Sequence, residues 1–186
     1  MNKPIRILGI AGSVRQHSYN RGVLKAAAEL VPEDVTLEIF DIADVPDFNQ
    51  DKEQNPPAKI VELKKRIREA DAILFATPEY NYSVPGVLKN VIDWVSRPYG
   101  DNAWEGKPAA IMGASIGAIA TARAQYHLRQ IMVFLNMFPV NQPEVMIGNA
   151  AQKFDKNGNL VDEKTKNFIR QHLQVLVDWT CRLQKL

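Results

Sequence analysis

Near-continuous apolar runs alternating with helically spaced apolar residues constrain this chain more than any other feature. Ile5 to Ala11 is such a run, broken only by Arg6; Ala72 to Thr77 and Lys107 to Ala114 are two more. A strand that is apolar at successive positions has both faces covered, which is the condition of a parallel sheet between two helical layers. Between the runs the spacing becomes helical. Val23, Leu24, Ala27, Leu30 and Val31 follow it and stop at Pro32; Ile60, Leu63, Ile67 and Ala70 mark a second helix face. Val84, Val87, Leu88, Val91, Ile92 and Val95 predict a third helix with Pro85 in its first turn, where a missing N–H costs least. Ala124, Leu128, Ile131, Met132 and Leu135 define a fourth, and Phe168, His172, Leu176, Trp179 and Leu183 stripe the last. Thr36 to Ile42 alternates as a half-buried strand. Phe138 to Ile147 is a weaker fifth strand, interrupted by Pro139 and Pro143. Residues 43–57 read as a loop and Asn157-Gly158 as a turn.

Five βα units in 186 residues predict one α/β domain, residues 1–186. The economical topology is a doubly wound, five-stranded parallel sheet in the order 2-1-3-4-5, helices on both faces. Its ligand crevice falls at the carboxyl ends of strands 1 and 3, where the winding reverses.

The charge balance, 23 basic against 21 acidic residues spread along the chain, argues against nucleic acid as a partner. The densest block, KKRIRE at Lys64 to Glu69, reads as the solvated face of a helix. A single cysteine, Cys181, excludes an intrachain disulfide and a multi-cysteine metal site. MNKPIR leads straight into a strand without a signal-peptide core, and the uncharged run between Lys107 and Arg123 falls short of the ~20 apolar residues of a membrane helix. These features predict a cytoplasmic protein with no membrane partner.

Three turns on the predicted ligand side carry unusual chemistry. GSVRQHSYN, Gly12 to Asn20, joins strand 1 to the first helix, whose N-terminus offers unpaired N–H groups and a positive dipole end. The hydroxyls of Ser13 and Ser18 and the amide of Asn20 add neutral donors, and Arg15 adds a fork suited to phosphate. No Gly-Lys-Ser/Thr follows, and Gly9 and Gly12 do not make a G-x-G-x-x-G fingerprint, so a monophosphate fits better than a nucleoside triphosphate. After strand 3, PEYNYSVPG (Pro78 to Gly86) offers backbone groups, two tyrosines to cover a flat aromatic ligand, and Asn81 to bond it. After strand 4, the glycines of GASIGA (Gly113 to Ala118) let the backbone approach a ligand closely.

G-S-x-R-x-x-S-x-N at Gly12 to Asn20, P-E-Y-N-x-S-x-P-G at Pro78 to Gly86 and K-N-x-I-D-W-x-S-R-P at Lys89 to Pro98 resemble the NAD(P)H-dependent FMN reductase family, in particular its quinone and chromate reductase members. ARAQYHLRQ and FDKNGNLVDE extend the likeness over nearly the whole chain. The resemblance implies a flavodoxin-like fold with non-covalent FMN, NADPH or NADH as co-substrate, and a small-molecule acceptor such as a quinone, free flavin, azo compound or chromate. It implies a phosphate site at Ser13, Arg15, Ser18, Tyr19 and Asn20, with Val14, Gln16 and His17 supplying backbone. It implies that Pro78, Glu79, Tyr80 and Asn81 line the flavin ring and that Ser115 and Gly117 approach its other edge. No side chain is required as a general acid or base and no metal is implied; both substrates would use one shallow site in turn. The resemblance further implies a homodimer or homotetramer, for which Arg123, Tyr126 and Gln130, with His127 at the edge, are a candidate face. Two rival readings come from the residues themselves. Gly113 to Gly117 matches the G-x-S-x-G nucleophile elbow, with Ser115 as nucleophile, Asp155 or Asp162 next and His172 last. A flavodoxin-like electron carrier without turnover is the other, although this chain lacks the usual acidity of such carriers.

Overall fold

A computed structural model describes residues 4–185. Its strands are β1 (Ile5–Ala11), β2 (Val35–Phe40), β3 (Ala72–Ala76), β4 (Pro108–Ala114), β5 (Phe138–Pro139) and β6 (Val145–Ile147). Its helices are α1 (Tyr19–Glu29), α2 (Ala58–Glu69), α3 (Gly86–Val95), α4 (Ala122–Phe134) and α5 (Glu163–Leu183). All pairings are parallel, in the order β2-β1-β3-β4-β5, with β6 also on β4. The fifth position is shared by two pieces: Ala109 pairs with Pro139, and Met112, farther along β4, pairs with Val145. The prolines that weaken the sequence signal there break the strand in two.

The period of two along the central strands sorts their side chains into two cores. Ile7, Leu74, Ala110 and Met112 pack with Val23 and Leu24 of α1 and Leu173 and Leu176 of α5. Leu8, Ile10, Ile73, Phe75 and Ile111 point the other way, onto Leu63 and Ile67 of α2, Val91 and Val95 of α3, and Leu128 and Met132 of α4. Each fully buried Leu or Ile among them contributes about 1.5–3 kcal/mol of transfer free energy.

Three local expectations need correction. Lys64, read as part of a solvated block, is only 4% exposed. Its ammonium donates to the Arg97 carbonyl at 2.6 Å and pairs with Asp101, which also binds Arg68, so it pins the segment after α3 to α2. Pro85 lies one residue earlier than expected, at the N-cap of α3. In α5 the buried side contains Ile169, His172, Leu173 and Leu176, while Phe168 is turned outward.

Candidate functional site

The turns after β1, β3 and β4 converge at the carboxyl end of the sheet. A crevice of about 150 Å³ is bounded by Ser13, Arg15, Ser18, Tyr19 and Asn20 from the first turn. Pro78, Glu79 and Tyr80 bound it from the second, and Ala114, Ser115 and Ile116 from the third. Through Glu79 and Ser115 it runs into a shallower hollow of about 420 Å³ that reaches Asn81 and Gly117. Eleven of the fourteen residues expected at the site therefore meet. Gln16 and His17 border a neighbouring cleft, which shares Arg15 and Tyr19 with the crevice. Val14 is 42% exposed and borders neither.

The first turn leaves donors unspent. Ser18 is the N-cap of α1 with extended backbone, yet its hydroxyl makes no capping bond, and the helix has no acidic residue in its first turn. By contrast, α5 is capped by Asp162, which accepts from the Thr165 N–H at 2.9 Å. An uncapped N-terminus keeps its first-turn N–H groups and dipole end for an anion. The hydroxyl of Ser13 accepts weakly from the Arg15 N–H at 3.4 Å, and Arg15 folds back to donate to the His17 carbonyl at 2.7 Å. Asn20 is committed elsewhere. Its amide donates to the Ala114 carbonyl at 3.0 Å and accepts from the Ala114 N–H at 2.9 Å, so its side chain ties α1 to the end of β4.

The second turn is a tight one. Tyr80 and Ser83 exchange two backbone bonds of 3.1 and 3.0 Å around Asn81 and Tyr82, which both have positive φ, 49° and 65°. Asn tolerates that region, but a tyrosine there stores on the order of 1–3 kcal/mol. The Arg123 guanidinium, 3.6 Å from the Tyr82 ring centroid, helps to hold it. Glu79 is not free to act on a ligand. Its carboxylate accepts from the N–H groups of Arg123 and Ala124 at 2.9 and 3.1 Å and from Arg123 Nε at 2.6 Å, thereby capping α4. Burial alone would raise its pKa, but these hydrogen bonds and the Arg123 charge outweigh burial and hold it below the ordinary carboxylate range. Tyr80, 51% exposed, and Ile116, 71% exposed, stand at the rim.

The third turn is braced from beneath. The Ser115 N–H donates to the Ile147 carbonyl and its own carbonyl accepts from Ala150, both at 3.0 Å, while its hydroxyl accepts from the Gly117 N–H at 3.2 Å. This disposes of the nucleophile-elbow reading. His172 is fully buried on α5, with the backbone of Ile111 and Pro143 beside its ring but, among the described residues, no hydrogen bond of good geometry to either ring nitrogen. The proposed carboxylates serve local roles: Asp155 accepts from the Asn157 and Asn159 N–H groups, and Asp162 caps α5. What the residue patterns left unread was the set of small residues behind the turns. Gly113, Thr77 and Thr121 touch no ligand space but set the separation of β3, β4 and α4. A threonine just past β3 and another at the N-cap of α4 were the available signal.

Residues 5–152 match the NADPH-dependent FMN reductase family. The chain is 52% identical, over 186 residues, to an NAD(P)H-dependent FMN reductase of Pseudomonas aeruginosa, covering 99% of this chain and 100% of that protein. It is 41% identical over 175 residues to a 2-hydroxy-1,4-benzoquinone reductase of a Burkholderia species, covering 94% and 96%. Among solved structures it resembles a flavoenzyme NAD(P)H:(acceptor) oxidoreductase of Paracoccus denitrificans, with a TM-score of 0.87, 36% identity and coverage of 96% and 98%.

Proposed function

The chain belongs to the NADPH-dependent FMN reductase family, oxidoreductases that draw electrons from NAD(P)H through FMN, and on that premise we propose where the flavin sits and what it reduces. The phosphate lies on the β1–α1 turn, held by the first-turn N–H groups of α1, the hydroxyls of Ser13 and Ser18, and Arg15. The ring lies between the turn at Pro78–Asn81 and the turn at Ser115–Gly117. One observation carries this reading: three turns far apart in sequence, the first with an uncapped helix N-terminus, border one crevice at the switch point of the sheet.

FMN, when bound, supplies two-electron redox chemistry between the nicotinamide and the acceptor. The protein's part is to bind, orient and shelter. Arg15 gives charge-assisted bonds to the phosphate. The backbone of the second and third turns supplies polar contacts to the ring edges, and Tyr80 and Ile116 limit water at the rim. Glu79, locked and ionised on α4, offers no proton, so no side chain acts as a general acid or base. The acceptor in this reading is a small quinone on the open side of the crevice; free flavin, azo compounds and chromate compete with it. The protein works in the cytoplasm and forms a homodimer or homotetramer; the exposed apolar side chains of Tyr126, Val133 and Phe134 on α4 support the assembly. Among the described residues no helix is long and apolar enough to cross a membrane.

Anaerobic titration tests the assignment. FMN-loaded protein is expected to lose its visible absorbance on addition of NADPH or NADH and regain it with one equivalent of quinone. A chain that takes up no FMN sinks the proposal. Arg15→Ala is expected to weaken FMN binding by about 1–3 kcal/mol, read from quenching of flavin fluorescence. Wild-type affinity in that variant removes Arg15 from the phosphate site.

A further inference from the structure

We propose that the flavin crevice continues past the phosphate turn into a second subsite, one that takes an adenosine phosphate group. The proposal rests on the flavin placement above. Arg15 and Tyr19 border both the crevice and a cleft of about 770 Å³, so the two spaces adjoin at the turn proposed for the phosphate. The opposite wall is the segment after β6, where Phe154 and Leu160 form an antiparallel bridge closed by the Asn157-Gly158 turn. This wall is seated firmly on α1. A Cβ on Gly22 would lie 2.5 Å from the Gly158 carbonyl oxygen and 2.9 Å from the Phe154 ring, so only glycine lets helix and turn approach this closely.

The lining has the chemistry of a phosphorylated aromatic. Tyr19 and Phe154 form a floor, ring centroids 5.0 Å apart and tilted by 51°. Arg15, His17 and Lys156 stand exposed around it, with the Arg15 guanidinium 6.0 Å from the Tyr19 ring centroid. The one carboxylate in the lining, Asp155, is turned into its own turn, accepting from the Asn157 and Asn159 N–H groups at 2.9 Å and from the Asn159 amide at 3.1 Å. Two exposed cations and an imidazole beside an aromatic pair suit an anion joined to a flat base, and the volume lies in the range of ligand pockets. An adenosine phosphate can reach this cleft from two sources. It is half of NAD(P)H, or it is the half of FAD that continues from the flavin phosphate.

Calorimetric titration of FMN-loaded protein with 5′-AMP tests the subsite. Saturable binding is expected, at least tenfold weaker in Ala151→Trp, which fills the cleft from an exposed position, and in Lys156→Glu. FMN affinity in Ala151→Trp should match wild type. A tenfold rise in KM for NADPH, with KM for reduced nicotinamide mononucleotide unchanged, assigns the cleft to the dinucleotide. A tenfold loss of FAD affinity, with FMN affinity unchanged, assigns it to FAD. Absence of AMP binding, or AMP binding indifferent to both substitutions, overturns the subsite, as does AMP binding that neither arm reflects. In each of those failures intact FMN binding and quinone turnover leave the flavin placement standing; loss of FMN uptake by the wild-type chain fails the placement itself.

Discussion

Gly113→Ala is expected to lower the unfolding free energy by about 3 kcal/mol, the upper part of the range for forcing a carbon into a filled core. The added Cβ would lie 2.2 Å from Thr121 Oγ1 and 2.3 Å from the Thr77 carbonyl oxygen. One obstacle is a side chain and can rotate; the other is backbone and cannot. Thr77 is anchored, its N–H donating to the Met112 carbonyl at 2.9 Å, and the turn that begins at Pro78 starts from it. Thr121 accepts from Gln125 Nε2 at 3.0 Å and is also fully buried. Removing the first obstacle with Thr121→Ala should therefore restore only part of the loss in the double variant. The measurement is the urea midpoint at unchanged m-value, with FMN affinity measured alongside. A single variant with the wild-type midpoint would show that β3 and β4 yield at this point.

Acidification is expected to cost about 2.5 kcal/mol of stability between pH 7 and pH 4.5 through His172 alone. Burial pushes the pKa of this fully enclosed imidazole down to about 4, from an ordinary value near 6.5. The unfolded chain therefore takes up a proton first. The contribution is complete above the unfolded pKa and is lost as pH falls toward the folded one. Glu79, Asp41 and Asp101 have depressed pKa values and also lose stabilisation in acid, but only from about one pH unit above their unfolded values of 4.5 and 3.8 downward. Above about pH 5.5 these carboxylates are ionised in both states, so the slope there isolates the histidine. His172→Leu should flatten the stability profile there, whatever it does at pH 7. An unaltered slope between pH 6.5 and 4.5 would assign the acid sensitivity elsewhere.

How far the sequence could be read follows from where each residue's partner lies. The runs of β1, β3 and β4 are legible because burial on both faces demands apolar residues at every position, and a few neighbours suffice to show it. The three turns are legible for a related reason: polar residues just after such strands fall on one side of the sheet. Lys64 is illegible because a buried lysine looks the same as its solvated neighbours until Asp101 and the Arg97 carbonyl are brought to it. Asn20 and Glu79 do border the crevice, as their turns predict, but their side chains serve Ala114 and α4, partners 94 and 44 residues away. Position in a turn was readable; the direction of a side chain was not. The cleft beyond Arg15 escaped for the same reason, since a Phe-Asp-Lys-Asn-Gly-Asn stretch reads as an ordinary reversal until α1 is packed beneath it.

The divided fifth strand has a consequence for how copies of this protein behave when crowded or newly made. An open sheet edge is a template on which another chain can add a strand, the first step toward insoluble aggregates. Here that edge offers two residues at Phe138–Pro139, an interruption, and three at Val145–Ile147, with prolines at 139 and 143 that have no N–H to give. No incoming strand finds a continuous ladder on that side. The irregularity that weakens the sequence signal also keeps the sheet from growing past its own last strand.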